Sequence, residues 1–358
     1  MALERSSVAA RSEGTRGFDG EGPARERGAP ESGAEMGCGD VVSQDMPAAE
    51  IDIDEPFVRA LLEDQHPDLL RPEDADLDGA DPDGAHPDRL GVELEPVAFG
   101  WDNVIFRLGD DLSVRLPRRQ VAAELIESEQ RWLPTLAPRL PIPVPVPVRV
   151  GRPACGYPWA WSVNRWVDGD DAAELELRDP VGIAEQLGSF LAALHQPAPP
   201  GAPANPYRGV PLGDRDEGTE ERIDQLSSSI DAPAVRARWR TLVSTAPWTG
   251  PALWLHGDLH PANILVAGDR ISAVIDFGDI TSGDPATDLA VAWMLLPAGA
   301  RPALRAAAGP VDDGTWIRAQ GWALSLALAY LANSANNARI AAIGHRTLTA
   351  VLADDADG

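Results

Sequence analysis

Lysine is absent from this chain of 358 residues, and all 30 of its basic side chains are arginines. A Walker A phosphate-binding loop depends on its lysine, and so does any enzyme that forms a Schiff base through a lysine amine. The sequence therefore excludes both classes of site. Any role that a lysine usually fills must fall here to an arginine.

Cysteine is scarce and long apolar runs are missing. The two cysteines, Cys38 and Cys155, lie in unrelated contexts, and residues 1–30 carry charges throughout without the apolar centre of a signal peptide. These features predict no disulfide framework and a cytoplasmic location. The most apolar stretch, residues 322–332, is shorter than the roughly 20 residues that a membrane span needs. We expect no membrane partner.

Positive charge is also in short supply, since 56 acidic residues give a net charge of −26. A nucleic-acid partner would require a basic face, so the composition argues against one. The acidic excess could steer a cationic substrate toward the protein, or it could be an ordinary solvated surface. The composition leaves both interpretations open.

The chain divides into four segments of different character. Residues 1–45 are rich in Gly, Ser, Ala, Arg and Glu, which predicts a disordered extension and makes Met46 an alternative start. Residues 46–91 predict a short amphipathic helix at 52–64 and an acidic loop at 71–88 that lead into a small lobe. The small lobe is expected at 92–167 and a helical lobe at 168–358.

Two patterns define the lobes. Period-two alternation predicts three antiparallel strands at 93–100, 103–111 and 112–118, then a helix at 121–137 ended by Pro138, and strands near 146–151 and 159–167. A strand and hairpin are expected at 252–277. Helices are expected over residues 180–195, 218–229, 232–246, 286–296, 301–308 and 314–355. The fold class is therefore α+β with two lobes, a small antiparallel-sheet lobe and a larger, mostly helical one.

The most informative stretch reads LHGDLHPANILVAGDRISAVIDFGD, over residues 255–279. Asp258 precedes Asn263 by five residues, and Asp276 follows thirteen residues later and opens an Asp-Phe-Gly triplet. This spacing is typical of phosphoryl transfer in protein-kinase-like enzymes. One carboxylate orients the attacking hydroxyl and accepts its proton, whereas the amide oxygen and the second carboxylate are ligands suited to Mg²⁺. We predict Asp258 as the catalytic base and Asn263 and Asp276 as metal ligands.

Two histidines in this stretch allow a competing interpretation. His256 and His260 are four residues apart, as in a zinc-binding helix, which would make the protein a zinc hydrolase. Gly257 and Pro261 follow them and disfavour a regular helix. We expect instead that His256 forms hydrogen bonds within the loop and holds the backbone of Asp258.

The candidate phosphate-binding residues lie in the small lobe. Gly100 and Asn103, in the turn between the first two strands, could place backbone N–H groups over phosphates, or could form an ordinary hairpin turn. Arg115 ends the third strand, where a kinase has its phosphate-pairing lysine; the alternative is an exposed strand arginine. Its expected partner is Glu129, with Glu124 in reserve.

Two carboxylates follow the catalytic stretch in the segment SGDPATD. Asp284 and Asp288 are expected to cap and anchor the next helix. Asp288 is also expected to brace the catalytic loop from below. Both roles are structural.

The chain resembles the aminoglycoside phosphotransferase family of kinase-like enzymes over about residues 92–355. The motifs that carry the resemblance are HGDLHPANIL (256–265), VIDFGD (274–279), GDPATDLA (283–290), GWDNVIFRL (100–108) and VRLPRR (114–119). The resemblance implies ATP or GTP bound with Mg²⁺ between the lobes, with Asn164 and Trp166 in a linker whose backbone groups meet the purine. The departure from the family pattern is Arg115 in place of lysine.

The expected function is an ATP- or GTP-dependent O-phosphotransferase acting on a small-molecule hydroxyl, for example that of an aminoglycoside-like antibiotic, with a role in antibiotic resistance. The alternatives are a small-metabolite kinase of the same fold and a nucleotide-binding module whose catalysis is impaired by the missing lysine. The acidic stretch at 214–224 could bind a polyamine-like acceptor or form a solvated helix face. The oligomeric state is left open.

Overall fold

The computed structural model describes residues 48–71, 91–99, 102–334 and 336–354. The predicted extension at 1–45, the acidic loop beyond residue 71 and Gly100 lie outside these residues.

A five-stranded antiparallel sheet forms the small lobe, and the three predicted strands at its start are confirmed. The strand order is β1-β2-β3-β5-β4. The bounds are β1 Leu94–Phe99, β2 Asn103–Leu108, β3 Leu112–Pro117, β4 Pro147–Gly151 and β5 Trp161–Arg165. In β2 the side chains of Val104, Phe106 and Leu108 are buried and alternate with half-buried neighbours, as the period-two pattern predicts.

Helix α1 (Glu55–Gln65) completes the core of this lobe. Asp54 caps it by accepting a hydrogen bond from the Phe57 N–H at 2.9 Å. Its apolar face buries Val58, Leu61 and Leu62 completely, in the same cluster as the sheet residues. The helix is therefore packed into the small lobe as well as preceding it in sequence.

Helix α2 (Gln120–Leu136) crosses between the lobes, and a 3-10 turn, Ala137–Arg139, continues it. The face that it buries includes Ile126, Leu133 and the charged Glu129. Pro134 lies in its last turn, and the helix ends before Pro138, as predicted.

The large lobe is mostly helical. Its helices are α3 Pro180–Leu194, α4 Asp216–Gln225, α5 Ala232–Val243, α6 Ala286–Leu289, α7 Val291–Leu295, α8 Arg301–Ala307, α9 Asp313–Asn333 and α10 Ala338–Ala353. Its principal apolar core is formed by buried side chains of these helices and by the strands of the catalytic region. None of the helices in the described ranges is long and apolar enough to cross a membrane.

Three predicted helices differ from the structure. The helix expected at 286–296 is two short helices, and the helical stretch expected at 314–355 is broken between Asn333 and Ala338. The break occurs where Asn337 turns its side chain back to accept from the Ile340 N–H at 3.2 Å and so starts α10. The helix expected at 218–229 is Asp216–Gln225 in the structure. It ends early because the Ser227 and Ser229 hydroxyls donate to the backbone carbonyls of Asp224 and Leu226, in competition with further helical hydrogen bonds.

Two small ladders position the catalytic segment. β7 (Leu253–Leu255) pairs with β10 (Thr281–Gly283), and β8 (Ile264–Ala267) pairs with β9 (Arg270–Val274) and β6 (Asp170–Asp171). Residues 256–263, here called the catalytic loop, run from β7 to β8. Asp276 lies two residues beyond the end of β9, so the two ladders hold the ends of both segments that carry the predicted site.

Candidate active site

A buried carboxylate binds the backbone at the start of the catalytic loop. Asp288, on α6, is fully buried; its Oδ2 accepts from the His256 N–H at 2.8 Å and its Oδ1 from the Gly257 N–H at 3.0 Å. The His195 ring, at the end of α3, lies 3.1 Å from the same Oδ2. Burial by itself would raise the pKa of Asp288, but the His195 hydrogen bond and the surrounding positive charge outweigh it and lower that pKa.

His256 fixes the next turn of the loop. Its Nε2 donates to the Ile275 carbonyl at 3.0 Å, and its Nδ1 accepts from the Asp258 N–H at 3.2 Å. The ring is fully buried and lies 4.4 Å from the ring of Phe277. Because both ring nitrogens are engaged, His256 has no lone pair to offer zinc. Gly257 is required beside it: φ is 87° there, and a Cβ would lie 2.1 Å from the Asp279 carbonyl oxygen.

Asp258 is partly accessible, with 22% of its side chain exposed. Arg208 Nη2 lies 3.3 Å from its Oδ1, and His260 Nε2 lies 3.6 Å from its Oδ2. Burial opposes ionisation, but His260 and the Arg208 charge hold the pKa of Asp258 well below its usual range. An ionised carboxylate in this position can accept a hydrogen bond from a hydroxyl and orient it.

Asn263 and Asp276 meet across the β8–β9 hairpin. The Asn263 carbonyl accepts from the Ile275 N–H at 2.9 Å, and the Asn263 Nδ2 donates to the Asp258 carbonyl at 2.9 Å. That bond orients the amide and leaves its oxygen available to a cation. Asp276 has a left-handed backbone, with φ of 63°, and 51% of its side chain is exposed. Two hard oxygen donors beside a cleft suit Mg²⁺, which takes few protein ligands and shares phosphate oxygens.

Arg115 is buried at the centre of an ion-pair network. Its Nη1 lies 2.9 and 2.7 Å from the two carboxylate oxygens of Glu129, and its Nη2 lies 2.7 Å from Asp276 Oδ1. With its amide oxygen turned toward the guanidinium, Asn103 accepts from Nε at 3.2 Å and from Nη2 at 3.0 Å. Burial by itself would lower the pKa of Arg115, but the two carboxylates outweigh burial, so the net effect is a raised pKa. Burial also raises the pKa of Glu129, although the charge of Arg115 opposes the increase. Of the two predicted partners, Glu129 makes the contact and Glu124 lies on an exposed face.

Trp166 and Asn164, the linker residues predicted to contact a purine, have different surroundings in the structure. The backbone N–H of Trp166 donates to the Asp111 carbonyl at 2.7 Å, so this group is already bound within the sheet lobe. The Trp166 ring lies 4.8 Å from the guanidinium of Arg107. Asn164 is buried at the end of β5, and its Oδ1 has no hydrogen-bond partner in the described part of the chain. Gly100 is outside the described residues.

Three residues near Asp258 were missed by the sequence analysis. Asn205 and Arg208 come from the loop between α3 and α4, and Asn205 Nδ2 donates to Asp279 Oδ1 at 2.9 Å. Burial raises the pKa of Asp279, and the negative charges of Asp258 and Asp276 add to the effect. Asp279 lies within a quoted motif, but no periodicity marks the loop residues. Their only signal is the turn-forming run Asn-Pro-Tyr-Arg-Gly at 205–209.

The acidic stretch at 214–224 makes mostly internal contacts. Asp216 Oδ1 accepts from the Trp239 indole at 2.7 Å. Arg236 binds Glu220 at 2.6 Å and Asp224 at 2.5 Å. These carboxylates join α4 to α5, which favours the structural interpretation over recognition of a cationic acceptor.

Comparison with known proteins gives a consistent result. The sequence model of the Phosphotransferase enzyme family matches residues 93–322. A homoserine kinase of Methylocella silvestris is 32% identical over 128 residues, which cover 34% of this chain and 40% of that enzyme. The aligned stretch thus spans less than half of that relative's length.

The structural neighbours have the same fold. The GDP complex of aminoglycoside 2'-phosphotransferase-IIIa aligns with a TM-score of 0.59 at 20% identity and covers 85% of this chain and 100% of that chain. The apoenzyme of macrolide 2'-phosphotransferase MphH from Brachybacterium faecium aligns with a TM-score of 0.50 at 24% identity, covering 72% of this chain and 91% of that chain. At these identities the likeness establishes the fold, which is protein-kinase-like with two lobes.

Proposed function

This chain belongs to the Phosphotransferase enzyme family, and from that premise we propose that it transfers the terminal phosphoryl group of ATP or GTP to a hydroxyl of a small molecule in the cytoplasm. The observation that carries the proposal is the convergence of Asp258, Asn263 and Asp276 beside the buried Arg115–Glu129 pair. These are the side-chain types that phosphoryl transfer uses for the base, for the metal ligands and for the cation at the phosphates.

Asp258 orients the acceptor. Its carboxylate stays ionised because its pKa is held low, and it accepts the hydrogen bond of the acceptor hydroxyl. As the hydroxyl oxygen bonds to phosphorus, the bond from phosphorus to the nucleotide oxygen breaks and the hydroxyl proton passes to Asp258. Asp288 and His256 keep the backbone of Asp258 in place through the loop hydrogen bonds.

Asn263, Asp276 and Arg115 serve the phosphates. Mg²⁺, when bound, neutralises phosphate charge, and the amide oxygen of Asn263 and the carboxylate of Asp276 are the ligands that this chain offers it. Arg115 supplies positive charge for the phosphates, and its pairing with Glu129 holds it beside Asp276. This network argues against a module with impaired catalysis, because the lysine position is filled by a cation with the expected carboxylate partner.

Two acceptor classes are supported. The neighbours include an aminoglycoside phosphotransferase in complex with GDP and kanamycin, with a TM-score of 0.59, which supports an aminoglycoside-like antibiotic as the acceptor. The identity to homoserine kinase supports a small hydroxylated metabolite instead. Three carboxylates of the 214–224 stretch, Asp216, Glu220 and Asp224, are paired within the chain, so this stretch gives no particular support to a polycationic acceptor.

The test has two stages. Thermal shifts with ATP and GTP, each with and without Mg²⁺, identify the nucleotide; we expect a Mg²⁺-dependent rise in Tm with at least one of them. Phosphoryl transfer from that nucleotide is then measured on aminoglycosides, macrolides, homoserine and choline. Asp258→Asn should abolish transfer and leave nucleotide affinity nearly unchanged. Retention of more than about a tenth of wild-type turnover by the variant would remove Asp258 from the mechanism.

A further inference from the structure

Arg208 occupies an unusual place, since it is a buried cation beside the one carboxylate that must remain available to a substrate. Its side chain is 4% exposed, and its Nη2 lies 3.3 Å from Asp258 Oδ1. The arginine is 50 residues away from Asp258 in sequence and belongs to neither the catalytic loop nor the Asp-Phe-Gly segment. The loop between α3 and α4 thus supplies a charge to the active site.

The turn that carries Arg208 is rigidly attached. Asn205 Oδ1 accepts from the Tyr207 N–H at 2.8 Å, and Asn205 and Arg208 form an isolated antiparallel bridge. The Gly209 N–H donates to Thr287 Oγ1 at 3.1 Å, and the Gly209 carbonyl accepts from the Asp284 N–H at 2.9 Å. The turn is therefore bound to the segment that leads into α6, the helix that bears Asp288.

The two oxygens of Asp258 have different surroundings. Oδ1 faces the Arg208 guanidinium, whereas the neighbour of Oδ2 among the described residues is His260 Nε2, at the longer distance of 3.6 Å. When a buried guanidinium binds one oxygen of a carboxylate, the direction of the other oxygen is fixed as well.

We propose that Arg208 is a positioning residue for phosphoryl transfer: it holds Oδ1 of Asp258 so that Oδ2 faces the acceptor hydroxyl. Asn205 has the parallel task of holding the Asp279 carboxylate, 2.9 Å from its Nδ2, beside the same loop. Together the two residues of this turn hold the carboxylates of Asp258 and Asp279. The proposal rests on the proposed function, because it concerns the orientation of the base in that reaction.

The kinetic test compares Arg208→Ala and Arg208→Lys with the wild type on an acceptor that the panel has identified. We expect Arg208→Ala to lower kcat about tenfold or more with both Michaelis constants within about twofold, because the contact acts on the base rather than on bound substrates. Arg208→Lys should recover part of kcat. A change confined to the acceptor or nucleotide Michaelis constant would overturn the assignment.

A matched control separates positioning from general destabilisation. Arg301, on α8 and outside the catalytic segment, is buried to a similar extent, with 7% of the residue exposed. It binds Asp354 at 2.6 Å. Arg301→Ala should lower Tm and leave kcat per folded enzyme unchanged. If both alanine variants lose kcat equally, Arg208 has no particular role in orienting Asp258.

Crystal structures of the two Arg208 variants provide a readout that needs no acceptor. In Arg208→Ala the Asp258 carboxylate should leave its wild-type rotamer, and in Arg208→Lys it should keep it. An unchanged rotamer in the alanine variant would refute the positioning role. Failure of the wild type to phosphorylate any acceptor would instead count against the proposed function, and the rotamer would still decide the role of Arg208.

Discussion

Arg115 Nη2 lies 2.7 Å from Asp276 Oδ1, and this ion pair joins the third strand of the small lobe to the Asp-Phe-Gly segment of the large one. The two residues are 161 positions apart in sequence. The same guanidinium binds Glu129 through its other terminal nitrogen, so one buried cation links the sheet, helix α2 and a candidate metal ligand. The strength of this link can be measured in several ways.

Arg115→Ala should raise the Michaelis constant for nucleotide and lower kcat, by about 1.5–3 kcal/mol in kcat/KM, because charged hydrogen bonds to phosphate are lost. Arg115→Lys should recover part of the loss, since a point charge still neutralises phosphate without the fork geometry. Glu129→Gln should reproduce some of the alanine defect. Steady-state kinetics with varied nucleotide provide the measurement.

The control for this series is Arg107→Ala, on the neighbouring strand. Arg107 donates to the Asp110 carbonyl at 3.0 Å and lies over the Trp166 ring, away from the Glu129 network. We expect nearly wild-type kinetics from it. If Arg115→Ala is the silent variant and Arg107→Ala the impaired one, the phosphate-binding arginine has been assigned to the wrong strand.

Asp276→Asn should weaken Mg²⁺-dependent nucleotide binding together with the rate. A neutral amide retains one oxygen ligand but loses the negative charge, which we expect to shift the Mg²⁺ midpoint upward by about tenfold or more, on the scale of ~1.5–3 kcal/mol for a charged contact. Asp269→Asn, an exposed carboxylate in the turn of the same hairpin, is the matched control. Equal Mg²⁺ midpoints in the wild type and Asp276→Asn would exclude Asp276 as a ligand.

Asp288→Ala should destabilise the protein by about 3–5 kcal/mol, because it leaves His195 and two buried backbone N–H groups without their acceptor. The measurement is urea unfolding monitored by tryptophan fluorescence. Asp312→Asn is the control, since Asp312 caps α9 by accepting from the Thr315 N–H and asparagine caps equally well. A loss below about 1 kcal/mol for Asp288→Ala would mean that the loop is held by other contacts.

The stability that Asp288 contributes should depend on pH in a defined direction. Its pKa is lowered in the folded protein, so the contribution is complete above the ordinary carboxyl pKa of 3.8 and is lost as the pH falls through the lower folded value. The stability difference between wild type and Asp288→Asn should therefore be constant near neutral pH and shrink below about pH 4. A difference that grows on acidification would contradict the sign of the shift.

Leu61→Ala should destabilise the protein by about 2–5 kcal/mol, although α1 lies outside the segment that matches the family. Leu61 is fully buried in the small-lobe core, so its truncation leaves a cavity against the sheet. Glu63→Ala, on the exposed face of the same helix, should change stability by no more than about 0.5 kcal/mol. Equal chemical denaturation midpoints for the two variants would show that α1 is not packed as described.

Elements that depend on local pattern were predicted from the sequence. The alternation in β2, the Asp179 cap of α3 and the strand-loop-hairpin order of the catalytic segment follow from neighbouring residues, and each is present in the structure. The single helical stretch expected at 314–355 was wrong. Asn333 ends one helix and Asn337 caps the next, but the apolar residues on either side favoured one continuous helix. Glu129, the expected partner of Arg115, makes that contact in the structure, and it shares a helix face with the buried Ile126 and Leu133.

The sequence by itself determined the residues that carry the proposed chemistry, since Asp258, Asn263 and Asp276 lie within one short stretch whose spacing reflects a loop and a hairpin. Only the tertiary structure showed that Arg115 reaches Asp276, that His195 supports Asp288 and that Arg208 reaches Asp258. These partners are distant in sequence, and nothing in their immediate neighbours encodes the pairing. Such contacts arise when the lobes and loops pack, because a buried charge is stable only where the fold brings an opposite charge to it.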